Sequence, residues 1–168
     1  MNKSIKFAAA GGASLIGLGI LLWYAQPKDF DPHAAHQPKS TSRALAADTD
    51  NYDFGTISMK NGVVEKTFAV RNTTAAPVTI SKLYTSCMCT NASIEIGGKK
   101  KGPFGMQGHG VVPPVDEVLS PNETANVSVV FDPNAHGPSG IGVIERVVTL
   151  EDPDGAALAL NIKANVIP

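Results

Sequence analysis

Cys87 and Cys89 are the only cysteines in the chain, and they stand two positions apart. In an extended strand such a pair leaves the same face with Cα atoms about 6.5 Å apart, near the upper limit for a disulfide. Three states are open to it: a strained redox-active bridge, a free thiol pair buried as small apolar groups, or a thiolate pair on a metal ion. A metal needs more ligands. The glycine-rich stretch at residues 97–114 offers Met106 and His109, and the turn after Phe131 offers His136. Sulfur and imidazole together are soft to borderline donors, suiting Cu(I) first and Zn(II) second. The candidate copper or zinc site is therefore Cys87, Cys89, His109 and His136, with Met106 close by.

Catalysis has weaker support. No Gly-x-Ser-x-Gly, His-Glu-x-x-His or phosphate-binding glycine motif is present. Cys87 with His109 would make a nucleophile and base, but a chain with two Cys and four His supplies such a pair by chance. A binding protein is expected, not an enzyme, and no catalytic residue is assigned. His33 and His36 sit in a polar segment without a further ligand. A formal net charge of -1 excludes the broad basic surface that grips nucleic acid. Lys99-Lys100-Lys101 reads as a solvated loop.

The elements that must position these residues are strands. Val64, Phe68 and Val70 share one parity and end at Asn72-Thr73-Thr74; Val78 and Ile80 follow Pro77. Ala125, Val127, Val129 and Phe131 alternate with Asn126 and Ser128, stopping at Asp132-Pro133. Ile144, Val148 and Leu150 oppose Glu145 and Thr149, and Leu158, Leu160, Ile162, Ala164 and Val166 oppose Asn161, Lys163 and Asn165. Period-two runs broken by Gly, Pro, Asn and Asp predict an all-β, immunoglobulin-like antiparallel β-sandwich of about seven strands over residues 51–168. Loops gather at the two ends of such a sandwich, so the Cys-x-Cys segment, the glycine-rich stretch and the His136 turn are expected at one of them.

Ahead of the domain, Lys3 and Lys6 precede an uncharged run at residues 7–26 that ends in Trp23-Tyr24 and Ala25-Gln26. About 20 apolar residues span a bilayer as a helix, and the flanking lysines put the N-terminus in the cytoplasm. Residues 1–26 are thus expected to form one transmembrane helix, with a cleavable signal peptide as the rival reading. Residues 27–50, polar and aperiodic, are expected to be a flexible tether.

Tyr52-Asp53-Phe54-Gly55-Thr56-Ile57, Phe68-Ala69-Val70-Arg71-Asn72-Thr73, Ala76-Pro77-Val78-Thr79-Ile80, Thr85-Ser86-Cys87-Met88-Cys89-Thr90 and Leu119-Ser120-Pro121-Asn122-Glu123-Thr124 occur in one order. In that order they resemble the bacterial family called domain of unknown function 1573, with Met88 where the family's usual pattern has Gly. The resemblance covers roughly residues 51–168. It implies an immunoglobulin-like fold similar to sperm-protein and chaperone-type sandwiches, usually exported, with no settled biochemical function. The expected protein is a membrane-anchored module on the extracytoplasmic side that binds an envelope protein; the alternative is a copper or zinc binding or redox protein using the Cys-x-Cys pair.

Overall fold

The structure is a computed structural model that describes residues 40–108 and 111–168. The chain divides into two units, Met1–His36 and Gln37–Pro168, and the described residues belong to the second. The expected membrane helix, His33, His36 and His109 all lie outside them. Among the described residues no helix is long and apolar enough to cross a membrane.

Eleven strands run in chain order among the described residues: β1 Leu45–Ala47, β2 Asn51–Ser58, β3 Val64–Asn72, β4 Val78–Ile80, β5 Lys82–Thr85, β6 Thr90–Ile96, β7 Lys99–Phe104, β8 Glu117–Leu119, β9 Thr124–Phe131, β10 Gly142–Glu151 and β11 Ala157–Ile167. One sheet has the order β1-β3-β9-β6-β7 and the other β2-β11-β10-β5, with β4 and β8 as a separate pair. The parity read from the sequence is the one that packs. Phe68, Val70, Val127 and Val129 from the first sheet and Val148, Leu150, Leu160 and Ile162 from the second are all buried in one shared core. The result is an all-β sandwich without an α-helix among the described residues.

Four expectations need correction. The strand number is eleven and not about seven, because three-residue strands such as β1 and β8 are too short to show a period. The tether was expected to reach residue 50, yet Leu45 is buried in the core, β1 pairs with β3, and the Thr41 N–H donates to the Ala157 carbonyl at 2.7 Å. The glycine-rich stretch is not all loop, since β7 pairs with β6 through Lys99, Lys100 and Lys101. Its lysines are exposed and mark a sheet edge, where charge discourages pairing with a second chain. Thr149, expected outward, is buried as well; it stands opposite Tyr84 in the β10–β5 register.

Asn72 ties the ends of these strands together. It is fully buried, and its amide nitrogen donates to the carbonyls of Ala76 and Leu119 at 2.8 and 2.9 Å. Its side-chain oxygen accepts from the Thr74 N–H at 2.9 Å and from the Thr74 hydroxyl at 2.8 Å. A buried group stripped of its partner costs about 1–3 kcal/mol. Asn72→Ala is therefore expected to lower unfolding free energy by about 2–3 kcal/mol in urea titrations; a loss below about 1 kcal/mol would show that water replaces the side chain there.

Candidate metal centre

The Cys-x-Cys segment is a turn and not an extended strand. Between β5 and β6 the chain reverses over Cys87-Met88-Cys89-Thr90, closed by the Thr90 N–H donating to the Cys87 carbonyl at 3.1 Å. Thr85, buried at the end of β5, holds this turn from beneath: its hydroxyl oxygen lies 2.9 Å from the carbonyl oxygens of both Cys87 and Thr90, and donates its one proton to either. Ser86 fixes the entry to the turn by a two-way exchange with β10, its N–H donating to the Val147 carbonyl and its Oγ accepting from the Val147 N–H, both at 2.9 Å. Met88 has no left-handed φ, so the turn does not need the Gly of the family's usual pattern, and the Met88 side chain is exposed.

His136 arrives from the other direction. The Asp132 N–H, just past β9, donates to the Cys89 carbonyl at 2.9 Å. The Asp132 carboxylate then accepts from the Asn134 N–H at 2.8 Å, and the Asn134 amide donates to the Met59 carbonyl at 2.7 Å. A 3-10 turn at Gly137–Gly140 begins immediately after His136, with Gly137 at a φ of 54° that glycine accepts readily. This path sets His136 Nε2 3.2 Å from Cys87 Sγ.

The two sulfur atoms and a His136 ring nitrogen all lie within 4.8 Å of one another. Donors on one trigonal or tetrahedral ion sit roughly 3.5–4 Å apart at ordinary zinc bond lengths, so side-chain shifts of less than about an ångström would let these three share an ion. Both cysteines are free thiols. Cys87 is half-buried and Cys89 buried, while His136 is exposed, so the cluster opens to solvent on the imidazole side. Of the other residues expected at the site, Met106 pairs through its backbone with Thr85, beside the turn.

Arg146 is the member of the cluster that the sequence reading missed. Its Nε donates to Cys89 Sγ at 3.2 Å, and its terminal nitrogen donates to the Glu145 carbonyl at 2.7 Å. The signal was present: Arg146 shares parity with Ile144, Val148 and Leu150, the inward residues of β10. A charged residue on an apolar face requires a buried partner.

These contacts divide the two thiols. Burial pushes the Cys87 thiol up, but hydrogen bonds from Cys89 and His136, the Cys89 backbone N–H and the Arg146 charge together outweigh it and hold its pKa at about 7. Burial and the hydrogen bond to Cys87 push Cys89 up, against the pull of Arg146 and Thr90. Burial opposes the Arg146 charge, which the bonds and charges of the two thiols more than offset. The thiolate fraction of Cys87 grows as pH rises through about 7. Iodoacetamide alkylation of the reduced chain, followed by peptide mass mapping, is expected to modify Cys87 with a midpoint near pH 7 and Cys89 only at higher pH. Equal rates at both cysteines would contradict this division.

Comparison with known proteins is consistent with the architecture. A protein of unknown function from Porphyromonas gingivalis W83 superposes with a TM-score of 0.53 at 13% identity, over 73% of this chain and 46% of that one. The secreted serine protease VesC from Vibrio cholerae gives 0.48 at 10% identity over 76% and 24%, and the ASH / PapD-like domain of human CEP192 gives 0.42 at 14% over 85% and 96%. The chain thus spans less than half the length of the first two. At these identities the P. gingivalis likeness is one of fold alone. No curated protein sequence matches the chain significantly. His136 and Arg146 lie beyond the part of the sequence that a family model recognises. Residues 45–103, from β1 into β7 and including both cysteines, match the family described as protein of unknown function (DUF1573).

Proposed function

We propose that the domain is a soft-metal binding module, held outside the cytoplasm by an N-terminal membrane anchor, in which Cys87, Cys89 and His136 share one copper or zinc ion. The observation that carries this reading is the convergence of two thiol sulfurs and one imidazole nitrogen within 4.8 Å. The elements that bring them together are far apart in sequence and are tied by the Asp132–Cys89 backbone bond. Three protein donors and an open side suit an ion that is taken up and released. When bound, the ion would supply a soft Lewis-acid centre; the chain supplies the donors, the turn that aims them and the guanidinium beside them. The anchor is supported by the apolar run at residues 7–26 behind Lys3 and Lys6.

A thiolate enzyme is the less supported reading. Cys87 and His136 stand at nucleophile–base distance, but among the described residues no third group orients the imidazole, as such a pair requires. An envelope protein added at a sheet edge fits as a further partner, because β2 is an eight-residue edge strand and edge strands accept extended segments.

Anaerobic titration of the reduced, full-length chain with Zn(II) and with Cu(I), each against a competing chelator, tests the site. One ion per chain is expected. Cys87→Ser and Cys89→Ser are expected to abolish uptake in the competing range, and His136→Ala to weaken it by at least the roughly 10–100-fold that loss of an outer partner costs. Binding of neither ion, or binding untouched by all three substitutions, would overturn the reading.

A further inference from the structure

We propose, resting on the metal reading above, that Arg146 tunes the site toward the monovalent ion, Cu(I), and away from Zn(II). Two thiolates and a neutral imidazole carry a charge of minus two. Arg146, with its Nε 3.2 Å from Cys89 Sγ, adds one positive charge that no proton equilibrium near neutral pH removes. A monovalent ion then completes a neutral assembly, whereas a divalent ion leaves one net positive charge beside a cysteine that is only 2% exposed. Uncompensated charge is costly where water is scarce, and a guanidinium repels a divalent ion twice as strongly as a monovalent one at the same distance.

The distribution of sulfur in the fold is a separate observation with the same direction. The chain has four methionines, one of them Met1; the other three lie around this end of the sandwich. Met88 stands between the cysteines with its side chain 56% exposed. Met106 bridges to Thr85. Met59 accepts the Asn134 amide through its carbonyl, and its methyl and the His136 Cβ flank Gly140, 3.7 and 3.4 Å from where a Cβ would stand. Thioethers are ligands for Cu(I) and poor ones for Zn(II).

The ratio of the two affinities isolates the charge effect. By donating to Cys89, Arg146 also favours the thiolate, but that benefit is common to both ions and cancels in the ratio. Cu(I) and Zn(II) dissociation constants are measured for the full-length chain and for Arg146→Gln and Arg146→Lys, with circular dichroism to establish that each variant is folded. Arg146→Gln, which removes the charge without adding a sulfur donor, is expected to shift the ratio toward Zn(II) by roughly tenfold or more, and Arg146→Lys, which keeps the charge, to restore most of it. Equal loss of both affinities in Arg146→Gln, or an unchanged ratio, would overturn the role of Arg146 while leaving the metal site standing. Should the unsubstituted chain bind neither ion, both readings fall together. If Arg146→Gln does not fold, the Arg146→Lys and Arg146→Leu pair carries the same comparison.

Discussion

Two sulfur atoms two residues apart reach one imidazole because the backbone reverses between β5 and β6 within four residues, and the hydrogen bond from Thr90 to Cys87 makes that reversal. Everything else at this end of the molecule serves the turn. Thr85 supports it from the core, Ser86 clamps it to β10, and Asp132 draws the chain after β9 against the Cys89 carbonyl so that His136 arrives above Cys87. An extended Cys-x-Cys would have spread its thiols along a strand face. The turn brings the Cys87 thiol within hydrogen-bonding distance of the Cys89 backbone, with the Cys89 nitrogen 3.4 Å from Cys87 Sγ.

The sandwich supplies stiffness that the site does not have by itself. Thr85 and Thr90 are buried polar residues within an apolar core, and each belongs to a strand whose next residues of the same parity are apolar and packed. Displacing the turn would require moving Leu83 or Ala92, both at most 1% exposed, in an interior that deforms little. Donor atoms held this way lose little freedom on taking up an ion, which favours affinity through preorganisation. The exposed imidazole leaves one side free for exchange with solvent or with a second protein.

The long alternating strands were legible from sequence because each keeps one face in the core: β9 and β11 show this without a break. The short strands were harder to read, since three residues carry little of a period: β4 showed through Val78 and Ile80 after Pro77, but β1 and β8 did not, and β7 reads Lys-Lys-Lys-Gly-Pro-Phe with no alternation at all. Within the site, Cys87, Cys89 and His136 were identifiable from residue type and from the habit of sandwich loops to cluster. The turn was hidden because Ser-Cys-Met-Cys-Thr contains no Gly, Pro, Asn or Asp to announce one. Arg146 was legible too, since its parity with Ile144, Val148 and Leu150 already placed a charge on the inner face.

Whether Cys87, Cys89 and His136 bind the same ion is tested most directly by X-ray absorption at the copper edge of the Cu(I)-loaded, reduced chain. Two sulfur neighbours and one nitrogen neighbour are expected directly around the metal, with the imidazole scattering signature vanishing in His136→Ala. A surrounding of sulfur alone, or of nitrogen and oxygen alone, in the unsubstituted chain would contradict a shared ion.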